Sequence, residues 1–205
     1  SKSVTLVANG RNWQTSITGT TSSYFTIDNR TFADGRSFEE AEEMAGSAVC
    51  VIGSTIANEL FGRTDGVVGE LIRTGGFSCR VIGLLATKGS AAMGGDQDDV
   101  VIMPVKTVQR RLIGDTRVSS LLILMDGNSD RERLKQAVKD LMRERRSLSA
   151  GDDDNFQIMD TAEIAEKVAS TTGIMTTLLA AVAGVSLLVG GIGIMNIMLV
   201  SVTDR

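Results

Sequence analysis

The glycines of the stretch LLVGGIGIMNIMLVSV, Leu187 to Val202, are of a type that can cradle a phosphate, since backbone N–H groups of a glycine-rich turn ahead of a helix bind anions. A dinucleotide fingerprint needs glycine at all three marked positions of G-x-G-x-x-G, between a strand and a helix, and an acidic residue ~20 positions later. Gly191 and Gly193 fill the first two positions, but Asn196 stands in the third, and no Gly-Lys-Ser/Thr follows to make a P-loop. The chain has no histidine, so a Ser-His-Asp arrangement is excluded, and a Ser-Lys dyad cannot be argued from spacing. Asp96, Asp98 and Asp99 in GGDQDD lack the spaced ligands, central glycine and closing glutamate of a calcium loop, so they are expected in a solvated turn, as is GDDD at 151–154. Met93, Met103, Met125, Met142 and Met159 are scattered in core-like positions, with a metal-binding cluster as the lesser reading. Cys50 in SAVCVIG and Cys79 in FSCRVIG each lie in an apolar run; free buried thiols are expected, and a disulfide would need an oxidising compartment. The residues predict no catalytic, cofactor-binding or metal site.

The flanks of the glycines give the other reading. Val168 to Thr203 is a run without a single Asp, Glu, Lys or Arg. A helix of ~20 apolar residues crosses the hydrocarbon of a bilayer, whereas a buried soluble element ends sooner at turn residues. The run therefore predicts a membrane helix, with the lipid bilayer as partner. At helical spacing Thr176, Ala183, Ser186, Gly190 and Gly193 fall on one face, a seam of small residues that would let another helix approach closely. The alternative is that glycine is simply frequent in membrane helices.

The rest of the chain must position this helix. No proline interrupts Thr161 to Thr203, so one helix of ~65 Å is possible, about twice the hydrocarbon thickness, and its first turns, TAEIAEKVAS, should stand outside the bilayer as a stalk. Asp160 with Glu163 makes a capping-box-like start. Upstream, Asn9-Gly10 and Gly75-Gly76 signal hairpins, and AVCVIG predicts a buried strand followed by a helix from Ser54, as cap, to Gly62. VVIM reads as a strand before a helix framed by Pro104 and Gly114, and VSSLLILM, Val118 to Met125, as a further strand. A helix with Leu134, Ala137, Val138, Leu141 and Met142 on one face follows, and NFQIM reads as the last strand. The order predicts an α+β fold. The net charge of -4 with interspersed signs gives no basic stripe, so no nucleic acid is expected as partner. The opening SKSV shows no signal peptide, and both ends are expected to be cuts through a longer protein.

The stretch VSLLVGGIGIMNIMLVSVTDR resembles the start of the permease core of the MacB/FtsX-like ABC transporter permeases. TTSSYFTI, FADGRSF, VCVIGSTIANELFG, FSCRVIGLLATKG, GGDQDDVVIMPVKTVQRRLIG and MDTAEIAEKVASTTGIMTTLLAAVAGVSLLVGGIGIMNIMLVSVTDR occur in the family's order, and the last two are the specific ones. The resemblance implies a MacB-type periplasmic core domain with the second transmembrane helix attached. It further implies a discontinuous porter-like domain over 1–66 and 115–160, a sabre-like β-rich insertion over 67–114, and a stalk and transmembrane helix over 161–205. Cys50 and Cys79 stand where the family is expected to carry aliphatic or polar residues.

By that resemblance the protein is an export permease segment that transmits ATP-driven motion across the bacterial inner membrane, with residues 1 to about 165 periplasmic, and substrates of the macrolide, peptide or toxin kind. ATP and Mg would be bound by a partner ATPase domain or subunit and not by this chain. The permease would work as a homodimer with a periplasmic adaptor and an outer-membrane channel. The alternative is an FtsX- or lipoprotein-release-type permease that acts as a regulatory or binding module for periplasmic partners.

Overall fold

The computed structural model describes residues 1–91, 95–125, 130–149 and 151–203, with side chains in the last helix as far as Ile192. They form two compact units, Ser1–Asp126 and Gly127–Arg205. The fold is α+β.

The first unit is built on a seven-stranded sheet. β1 (Lys2–Ala8) and β2 (Arg11–Thr20) make the expected hairpin. Asn9 and Gly10 both take positive φ, 49° and 74°, the conformation that matches a two-residue turn to the right-handed twist of its strands. Two short helices, α1 (Ser23–Ile27) and α2 (Glu40–Ala45), flank β3 (Phe32–Gly35). β4 (Val49–Ile52) leads into α3 (Ser54–Phe61), and β5 (Leu71–Arg73) and β6 (Ser78–Leu85) form the second hairpin. β7 (Val101–Pro104) runs into α4 (Val105–Val108), which continues as a wider π-helical turn over Gln109–Ile113 and stops at Gly114, φ 75°.

The strand order is β3-β6-β4-β7-β2-β1-β5, parallel at β4/β6 and β2/β7 and antiparallel elsewhere. β6 presents one edge to β4 and divides the other between β5, opposite Ser78–Arg80, and β3, opposite Gly83–Leu85. Because β5 also reaches β1 at Val7↔Arg73, the ladder from β6 through β4, β7, β2 and β1 closes on itself through β5. The strands within 67–114, the span that the family resemblance implies is an insertion, belong to the same sheet as β1, β2 and β4.

Alternation along the strands sorts side chains into two cores. Cys50, Ile52, Val101 and Met103 join Leu6, Ile17 and Val81, against which α3 lays Ile56, Ala57 and Leu60. Val51 and Ile102 face the other way and meet Phe25, Phe38 and Leu85. β4 and β7 are therefore covered on both faces, which is why they read as continuous apolar runs.

Several sequence expectations change here. The cap of α3 is Gly53, not Ser54, whose Oγ instead accepts from Thr87 Oγ1 at 3.2 Å. Asp98 is buried, its carboxylate accepting from the N–H groups of Lys88 and Gly89 at 2.9 and 3.0 Å, and the half-buried Asp99 accepts from Trp13 Nε1 at 3.1 Å, so these two pin a loop, while Asp96 is exposed as expected. Met103 is a core residue while Met159 is exposed, and Met93 lies outside the described residues. VSSLLILM and NFQIM are not strands: neither has a ladder partner among the described residues, and Leu121, Leu122, Ile123 and Leu124 are exposed.

The second unit holds α5 (Arg131–Arg145) and α6 (Thr161–Thr203). Asp130 caps α5, its carboxylate accepting from the N–H groups of Glu132 and Arg133.

Candidate functional site: the long helix and its charged root

α6 is one unbroken helix, and Thr161–Ile192, over which its side chains are described, is long enough to cross a membrane and holds an 18-residue window of mean hydropathy 2.0. From Val168 to Ile192 its large apolar side chains are exposed: Leu187 is 80 % and Leu179 68 % exposed. An apolar surface of this extent on all sides needs lipid or other helices around it. Thr171, Thr172, Thr176, Thr177 and Ser186 each donate to the carbonyl four residues back at 2.9 to 3.0 Å, so these five carry no unmet donor into an apolar environment.

The five seam residues share this helix. Thr176, Ala183 and Ser186 are exposed, and a Cβ added at Gly190 would meet nothing within 4 Å. Gly193 lies beyond the residues whose surroundings are described.

The root of α6 is charged. Asp160 Oδ1 accepts from the N–H of Ala162 at 2.9 Å, so Asp160 caps the helix as expected. Glu163 departs from the capping-box expectation, because its carboxylate turns outward to Lys167, at 2.8 Å, and Lys135, at 3.4 Å. Asp160 Oδ2 lies 3.2 Å from Lys135 Nζ and 3.6 Å from Arg131 Nε, in ion pairs without an aligned hydrogen bond. Desolvation pushes the Asp160 carboxyl up, but Lys135, the Ala162 N–H and Arg131 together hold it below the ordinary range. Sequence reading missed Arg131 and Lys135. Their signal was present as basic residues four apart on one helix stripe, followed by an acidic helix start.

Cys50 and Cys79 are both free and fully buried in the first unit. Burial, with a smaller contribution from the neighbouring Cys79 thiol, pushes the Cys50 thiol well above its ordinary range, so it is not poised as a nucleophile.

A family model described as a MacB-like periplasmic core domain matches residues 1–141. The chain belongs to this family. Among proteins named macrolide export ATP-binding/permease protein MacB, the one from Bdellovibrio bacteriovorus is 39 % identical over 196 residues, covering 95 % of this chain and 30 % of that protein. The one from Chlorobium luteolum is 40 % identical over 200 residues, covering 98 % of this chain and 30 % of that protein. The chain thus spans less than a third of these relatives. The periplasmic region of MacB from Actinobacillus actinomycetemcomitans shares the fold at a TM-score of 0.69 and 18 % identity, over 82 % of this chain and 72 % of that one. The extracellular domain of the noncanonic ABC-type transporter YknZ from Gram-positive bacteria aligns at a TM-score of 0.56 and 19 % identity, over 78 % of this chain and 77 % of that one. This MacB-like core domain therefore carries, on the same chain, a helix apolar enough to span a bilayer.

Proposed function

We propose that the chain is the extracytoplasmic core and one membrane-spanning segment of an ABC-type export permease, and that α6 carries conformational change between the cytoplasmic ATPase and the extracytoplasmic part. The observation that carries this reading is the unbroken α6, capped at Asp160 and exposed along its described apolar length. At ~1.5 Å per residue its length exceeds the ~30 Å of hydrocarbon, so its first turns would stand outside the bilayer. ATP and Mg would be bound by a domain or subunit outside these residues. The small-residue seam from Thr176 to Gly193 would face a second helix, in this permease or its dimer mate. The names of the relatives point to macrolide-like cargo, with an adaptor and outer-membrane channel completing the route.

The test is topological. In the complete permease with Cys50 and Cys79 replaced, cysteines placed by Gly75→Cys and Ser149→Cys should react with a membrane-impermeant maleimide in cells whose outer membrane alone is permeabilised. Labelling that appears only after the inner membrane is broken would place the core domain in the cytoplasm and end the export reading.

A further inference from the structure

Arg131, Lys135, Lys139 and Arg143 recur at every fourth residue of α5, a spacing that lines side chains into one gently winding stripe. After α5 the chain doubles back along this stripe and brings acidic residues to it in reverse order. Asp154 pairs with Arg143 and, at 2.9 Å, with Lys139; Asp160 pairs with Lys135 and Arg131; Glu163 reaches Lys135; Glu166 lies 3.7 Å from Arg131. Arg143 also donates to the carbonyls of Ser149 and Asp152, and Arg146 to that of Asn155 at 3.1 Å, which fixes the turn where the doubling back begins.

What is missing from this joint is a core. No residue of α5 is buried, and of the apolar residues on the returning segment Ile158 and Met159 are exposed. Leu134, Val138, Met142, Phe156 and Ile164 are half-buried and none is fully enclosed, so the apolar contribution is less than that of a closed core. Association therefore rests largely on charge pairs at the surface, with Asp160, Asp154, Lys135 and Arg143 partly shielded and Arg131, Lys139, Glu163 and Glu166 open to solvent; such pairs are individually weak and screened by salt.

We propose that this ladder is a releasable strap, which ties the root of α6 to α5 while closed and lets the two helices move independently once it is broken. A joint meant to be permanent would be built on full apolar burial; one built on a row of surface ion pairs over half-buried apolar residues opens without a closed core being unpacked. The strap rests on the export reading only for its use in transport, and its own test does not involve transport.

Spin labels at Gln136→Cys on α5 and Gln157→Cys on the returning segment, both off the ladder, report the distance across the strap in the full chain reconstituted in nanodiscs with Cys50 and Cys79 replaced. At low ionic strength a single short, narrow distance is expected. In ~1 M salt, where the screening length falls to about 3 Å, a long, broad population should grow. Asp154→Asn with Asp160→Asn should shift the released-to-held ratio roughly fivefold even at low salt, although asparagine at 160 still caps α6. Arg133→Glu, on α5 but outside the ladder, should leave the distribution unchanged. A wild-type distance that ignores salt, or a double variant that matches wild type, would overturn the strap whatever the maleimide labelling shows about topology.

Discussion

The backbone of Gly53 passes so close to Asp98 that a Cβ at position 53 would stand 2.0 Å from the Asp98 carbonyl oxygen. Gly53 also donates its N–H to the carbonyl of Val100 at 3.0 Å and caps α3, so the strand-to-helix turn after β4 and the loop before β7 are locked to each other. Neither backbone can retreat without losing a ladder or a cap. Gly53→Ala should therefore destabilise the first unit by about 1–3 kcal/mol. Gly75→Ala, in a hairpin loop where an added Cβ meets nothing within 4 Å, should stay within about 0.5 kcal/mol. Urea unfolding followed by the fluorescence of Trp13, the chain's single tryptophan, measures both; equal midpoints would refute the close-approach argument.

The buried thiols make a second prediction. Cys50 and Cys79 lie at 0 % exposure, and Cys50 is held in its protonated form by desolvation. A maleimide should modify neither in the folded chain and both in denaturant, as counted by mass spectrometry. Both are free thiols, and Cys50 neighbours Cys79 in the core. Rapid native labelling of Cys50 would show that the core opens far more than the packing implies.

The strap should respond to pH only at the extremes. Asp160, despite desolvation and through Lys135, the Ala162 N–H and Arg131, and Asp154, through Lys139 and Arg143, are held below the ordinary aspartate value of 3.8. A depressed carboxylate contributes stability that is full above its unfolded pKa and is lost as pH falls through its lower folded pKa. Lys135 is raised above 10.5, chiefly by Asp160 and further by Glu132 and Glu163. Its contribution is full below that value and is lost as pH rises through the higher folded one. The spin-label distance should accordingly hold from about pH 5 to 9 and loosen below about pH 4. Loosening near pH 6 would point to a group other than these.

The small-residue seam predicts a packing defect in the membrane. Gly190→Leu or Gly193→Leu places a bulky side chain where backbones would meet, while leucine remains a better helix former than glycine and as much at home in lipid. In the complete permease these variants should insert normally but show reduced crosslinked dimer, or ATP hydrolysis uncoupled from export. Leu187→Ile and Leu199→Ile should stay near wild type. If the glycine variants match these controls in dimer yield, ATPase rate and export, the seam has no packing role.

What the sequence determined by itself was whatever a short window of chain decides. Asn9-Gly10 could be read as a hairpin because the turn depends on two residues tolerating positive φ, and α6 could be read because length without charge or proline is a property of the segment alone. The cap at Asp160 was legible for the same reason. Tertiary structure decided everything that depends on partners far away in sequence. Whether a strand-like run becomes a strand depends on finding a neighbour, and VSSLLILM found none among the described residues, while β6 found three. Asp98 looked like a solvent-exposed turn residue until the backbone of Lys88 and Gly89 closed over it. The basic stripe of α5 was visible at its fourfold spacing, but its meaning came only when the chain reversed and set Asp154 and Asp160 against it. Hydrogen-bond ladders and ion pairs join residues that no local pattern connects, so they are settled by how the whole chain closes.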